Sequence, residues 1–150
     1  MAHARSTIRQ AIVDALKAAG TAAGTRVYTE ERITALAATE LPAIRVATLD
    51  EGVESAGGSG GRAARMQLRT LTLSLTYISK TPTGYVDAVD TACAQIEVAL
   101  ANLVSAAIKD LEIARTQLDL DDTADTPLYT AAITIAVTYY TQQGSPASTR

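Results

Sequence analysis

The chain contains no Trp and no Phe, and its 4% aromatic content comes from six Tyr. A core must therefore be aliphatic, built from Ala, Val, Ile and Leu. One Cys cannot form an internal disulfide, and no CxxC offers redox or zinc chemistry. A single His, His3, stands near the start. That removes metal sites needing two His, and Ser-His-Asp or Cys-His catalysis. The composition points away from an enzyme, although chemistry without His stays open. No apolar run approaches the roughly 20 residues that span a bilayer. The opening MAHARSTIRQAI lacks the apolar segment of a secretory signal. A basic excess is also missing: 13 Lys and Arg face 16 Asp and Glu, for a net charge of −3. A globally basic nucleic-acid binder is set aside, while a local patch is not.

What is present is 150 residues, 47% of them hydrophobic. The length suggests one domain over 1–150, burying about two-thirds of the unfolded surface. Ile8, Ala11, Ile12, Ala15, Leu16 and Ala19 recur at helical spacing, with Ser6 or Thr7 as the cap. Val27–Tyr28 reads as a short strand, and 30–40 as an irregular turn or short helix. Leu41–Pro42 leads into a strand over Ile44–Leu49. From 67 to 79 the alternation is clear. Leu71, Leu73, Leu75 and Tyr77 point one way, and Thr70, Thr72, Ser74 and Thr76 the other. After the turn signal Thr81-Pro82-Thr83-Gly84 comes a helix over 86–107, with Val89, Cys93, Ile96, Leu100 and Leu103 on its stripe. Residues 110–120 are extended with an ambiguous inward face. Residues 131–140 alternate again and pair naturally with 67–79. The expected fold is α+β: a mixed, largely antiparallel sheet of four to five strands, with two main helices packed on one face.

Two stretches break these patterns. Residues 50–66, DEGVESAGGSGGRAARM, read as a mobile loop or long hairpin tip. Its glycines are not followed by Lys-Ser/Thr, so a phosphate-binding loop is not indicated. The acidic DLDDTAD at 119–125 lacks the Gly and Glu positions of a calcium loop. No metal, cofactor or catalytic set emerges. Cys93, on an apolar stripe, is a structural residue. Arg62, Arg65 and Arg69 form one local basic cluster, opposite in sign to Asp119, Asp121, Asp122 and Asp125. With Glu51 and Glu54 these are the candidate interface residues. In a ring of identical subunits, such opposite pieces would give docking a polarity. The last residues, 142–150, read as a flexible tail.

Several segments resemble the lambda-type phage minor tail protein U family, the siphophage tail terminators. IRQAIVDAL at 8–16 resembles that family's first helix, and ELPAIRVATLD at 40–50 its Pro-Ala segment entering a strand. MQLRTLTLSLTYI at 66–78 is similar to its central strand. LYTAAITIAVTYYT at 128–141 is similar to its last strand, with the pair Thr138 and Tyr139. The matches cover roughly 8–141 in consistent order. The Gly-rich stretch 52–65 departs from the family, and Leu71 and Leu73 stand where it has aromatics.

The resemblance implies a structural virion protein and no catalysis. It implies a homohexameric ring at the head-proximal end of the tail tube, stopping tube polymerisation and docking the head-completion or neck proteins. The implied neighbours are the major tail tube protein, the neck protein and, as a further candidate, the tape measure protein. Genome DNA would pass through the channel without sequence-specific binding, and no membrane is involved. The implied location is the virion, with the host cytoplasm during assembly. Two competing readings are another tail-completion or neck ring component, and a small cellular binding domain or enzyme with a pocket of convergent polar groups.

Overall fold

A computed structural model describes residues 2–29, 40–58, 61, 65–80, 84–121 and 127–149. The order is α1 (Ala4–Ala18), β1 (Val27–Thr29), β2 (Ala43–Ser55), β3 (Met66–Lys80), α2 (Tyr85–Ala101), β4 (Asp110–Asp121), β5 (Leu128–Gln142) and β6 (Ser145–Thr149). The sheet runs β1-β2-β3-β5-β4, with β6 pairing β5 beside that path. Only β1–β2 is parallel. The fold is α+β and largely antiparallel, as the alternation predicts, with six strands in place of four or five.

The long ladder between β3 and β5 is the spine. Leu71, Leu73, Leu75 and Tyr77 lie opposite Val137, Ile135, Ile133 and Ala131. All eight are buried, and they meet Ile44 and Val46 of β2. Both helices close this one face. From α1 come Ala4, Ile8, Ile12, Val13 and Leu16; from α2 come Val89, Ala92, Ile96, Ala99 and Leu100. At about 25 cal/mol per Å² of apolar area, these Leu, Ile and Val side chains each contribute roughly 1.5–3 kcal/mol. The core is aliphatic, with Tyr77 and Tyr139 as its buried aromatics.

Several boundaries differ from the sequence reading. The first helix starts before Ser6, because His3 caps it: Arg5 N–H donates to His3 Nδ1 at 3.2 Å. Val13 faces the core and Ala19 does not. The second helix ends at Ala101, short of 107. There Asn102 and Leu103 N–H turn back onto the Val98 and Leu100 carbonyls, and Leu103, Ala107 and Ile108 pack against the core. Gly84, at φ 67°, precedes this helix in the left-handed region.

The 50–66 stretch, whose composition predicts a loop, is strand as far as Ser55. Glu51, Val53 and Ser55 pair with Leu71, Arg69 and Gln67. The hairpin continues past the strands, where Ala56 N–H bonds the Met66 carbonyl and Met66 N–H bonds the Gly57 carbonyl. The tail also joins the sheet: Gly144, at φ 81°, turns the chain so that β6 folds back on β5. The Leu41–Pro42 peptide is cis. The 30–39 segment and the Thr81–Pro82–Thr83 part of the turn lie outside the described residues.

Candidate functional site

Local pairing decides where each candidate charge points. In β2, Thr48 lies opposite Leu73 and Asp50 opposite Thr72, so Leu49 is an inserted bulge residue. Before the bulge the even positions Ile44, Val46 and Thr48 face the helices. After it the odd positions do, which turns Glu51 inward.

Glu51 there meets Arg69, also on the helix-side face. Arg69 Nη1 donates to Glu51 Oε2 at 2.9 Å, and the two side chains are only 12% and 9% exposed. Arg69 Nε donates to Thr141 Oγ1 at 2.8 Å and Nη2 to Gln67 Oε1 at 3.0 Å. Tyr139 Oη donates to the other Glu51 oxygen. Burial, then the bond to Glu51, pushes the Tyr139 phenol far above its ordinary value, so it is a fixed donor. Arg5, from the first turn of α1, lies 3.8 Å from Glu51 Oε2. This network ties α1, β2, β3 and β5 together at one end of the sheet. Glu51 and Arg69 are thus turned onto each other, a correction to their reading as outward interface charges. Period-two counting across 44–51 cannot anticipate the bulge that turns Glu51.

Of the other candidates, Glu54, Arg65, Asp119 and Asp121 are exposed. Arg62, Asp122 and Asp125 lie outside the described residues. The register separates the two signs. Arg65 sits beside the β5–β6 turn, where Gln143 N–H donates to its carbonyl. Asp121 lies opposite Leu128, at the far end of β5. The 15-residue β5 separates these ends by roughly 45 Å at about 3.3 Å per residue. Arg65 and the acidic end of β4 therefore stand at opposite ends of one sheet.

The sheet face away from the helices has no covering layer among the described residues. Thr70, Thr72, Ser74 and Thr76 lie there, opposite Thr138, Ala136, Thr134 and Ala132. These eight side chains are small and uncharged. Charges gather on the flanking strands, among them Arg45 and Glu54 on β2 and Glu112 and Asp119 on β4.

Nothing among the described residues gathers catalytic chemistry. No group of three His, Cys, Asp or Glu could hold a metal, and no helix is long and apolar enough to cross a membrane. A shallow groove between the α1 C-terminus and α2 is lined by Ala15, Ala18, Ala94, Val98 and Leu103. Its Gln95 is occupied, with Oε1 accepting from Ala22 N–H at 2.9 Å. Burial raises the Cys93 thiol above its usual range, with Glu97 and Asp90 adding to the effect. It is therefore a poor nucleophile at neutral pH.

The chain matches no protein-family model and no curated protein. Among solved structures, it is similar to a chain from the virion of a native gene transfer agent particle. Identity is 19% and the TM-score 0.47, over 87% of this chain and 94% of that one. That likeness is too loose to assign a role.

Proposed function

We propose that this chain is a structural subunit of a phage-type virion, acting as a tail terminator. A homohexameric ring would cap the head-proximal end of the tail tube, stop further tube subunits adding, and present a docking surface to the neck proteins. DNA would pass through its channel without base-specific contact.

The uncovered, charge-poor sheet face carries this reading. A face of Thr, Ser and Ala is soluble alone, and a neighbouring subunit can cover it without stranding charges. The segments that resemble tail terminators fall on α1, the start of β2, β3 and β5, which are the elements that build the core. Arg65 at one end of the sheet and the acidic end of β4 at the other add a polarity suited to head-to-tail contacts, which form a ring where the rotation between neighbours closes. Glu54 and Arg65 at one end, and Asp119 and Asp121 at the other, are the proposed docking charges, with Arg62, Asp122 and Asp125 as further candidates from the sequence. Termination then needs only two unlike ring faces, one matching the last tube ring and one matching the neck.

Electron microscopy of the protein mixed with purified tail tubes tests this. The expected image is a six-fold ring on one end of each tube. A protein that stays monomeric at high concentration and ignores tubes overturns the reading. A six-fold ring seated elsewhere in the neck replaces it with a neck component.

A further inference from the structure

The ring reading uses the charges of Asp119 and Asp121 but leaves the free backbone edge of β4 unpaired. β4 ends the strand order, so β5 pairs one side of its backbone and no described strand pairs the other. Its 12 residues make it about twice the usual strand length. Every residue but Leu111 is exposed. A long exposed edge is a template for an added strand.

The register shift between Ile113 and Arg115, at Ala114, sorts its side chains onto two faces. Leu111, Ile113, Leu118 and Leu120 share the helix side, aligned with Val137, Ile135, Ala131 and Tyr129. α2 lies on β3 and β5 and leaves Ile113, Leu118 and Leu120 at 41%, 49% and 39% exposure. The other side carries Glu112, Arg115 and Asp119, with Asp110 and Asp121 beyond them, four acids to one base.

Charge decides what covers this edge. A second copy laid antiparallel in the centred register would set 112 against 119 and 110 against 121, acid on acid at both ends. Like charges directly opposite one another oppose pairing. We infer that β4 receives an added strand from a different protein, one that alternates Lys or Arg with Val, Ile or Leu. Its basic side chains meet Glu112 and Asp119 on one face. Its apolar side chains cover Ile113 and Leu118 on the other. Backbone hydrogen bonds supply affinity, and the alternation sets register. This goes beyond the terminator reading and does not rest on it.

The test uses the full chain and a labelled peptide of about ten residues alternating Lys and Val, followed by fluorescence anisotropy. Controls are a peptide of the same composition with Lys and Val in separate blocks, an alternating Glu–Val peptide, and the Lys–Val peptide N-methylated along one edge. The alternating Lys–Val peptide binds, and the block peptide and the methylated one do not. In the double variant E112K/D119K its affinity falls at least about tenfold, and the Glu–Val peptide now binds. Hydrogen exchange on the unmutated chain gives a second reading, with slowing confined to the amides of 110–121. No binding of the alternating peptide, equal binding of the block peptide, or slowing elsewhere overturns the proposal. So does self-association of the unmutated chain through β4. None of these outcomes bears on whether the protein caps a tail tube.

Discussion

Replacing Arg69 with Met tests the enclosed network most directly. The substitution keeps much of the aliphatic stem and removes three hydrogen bonds, to Glu51, Thr141 and Gln67. It leaves the Glu51 carboxylate, 9% exposed, facing only Tyr139 and the more distant Arg5. Breaking one side of a buried ion pair costs about 3–5 kcal/mol. The residual exposure and the nearby Arg5 place this case at the low end, about 3 kcal/mol. For a chain of this size that lowers Tm by about 6–12 °C. Glu51→Gln retains an acceptor for Tyr139 and should lose less, about 2 kcal/mol. The double variant should lose less than the two single losses together, with a coupling of about 1–2 kcal/mol. Urea unfolding at fixed protein concentration measures all three, and unchanged slopes show that the unfolded reference has not moved. A loss below about 1 kcal/mol for Arg69→Met, the worth of an exposed ion pair, with no coupling, would refute the enclosed network. Arg69 would then return to the outer surface as a docking cation.

Four further outcomes are expected. Leu73→Ala removes a fully buried side chain between Thr48 and Ile135 and should cost about 2–5 kcal/mol in urea unfolding. Thr72→Ala, on the open face next to it, should cost less than about 1 kcal/mol. Cys93 should react slowly with a neutral-pH thiol reagent and accelerate only above the ordinary thiol range, since burial raises its pKa; fast labelling of the folded chain at neutral pH contradicts this. His3 titrates below its ordinary 6.5, through burial first and then the Arg5 charge. The unfolded chain therefore takes up the proton first on acidification. Its share of stability is whole above pH 6.5 and is lost as pH falls through the lower folded value. His3→Asn, which still caps but does not titrate, should flatten that part of the urea midpoint against pH.

The core was legible because its periodicity is uninterrupted. Leu71 to Tyr77 and Ile133 to Tyr139 alternate without a break, so strand type, inward face and mutual pairing all followed from period two. Helix existence was equally plain, and helix ends were not. His3 caps through a ring nitrogen, outside the usual Ser, Thr, Asp and Asn set. Past Ala101 the apolar residues that continue the spacing of the second helix pack from a turn. Composition also misled at 51–55 and 145–149. Gly, Glu, Ser and Pro there signal loop, yet each segment pairs with a neighbouring strand.

The candidate charges were less legible than the core for one specific reason, which is the two register shifts in β2 and β4. Each inserts a residue, Leu49 or Ala114, and exchanges the faces of every position after it. In β2 the exchange carries Glu51 inward to Arg69 and leaves Glu54 on the open side. In β4 it explains why neither parity looked apolar. Leu111 and Ile113 belong to the same face as Leu118 and Leu120, although their numbers differ in parity. Without the bulge the register of Leu111 and Ile113 would continue and put Asp119 and Asp121 on the helix side, opposite Tyr129 and Pro127. The β4 bulge therefore sorts charge from core, whereas the β2 bulge brings Glu51 inward to its partner Arg69. In β4 the shift leaves an apolar face and a face of four acids and Arg115 along an edge that no described strand pairs. That amphipathic edge is a consequence of register, and residue types without register do not reveal it.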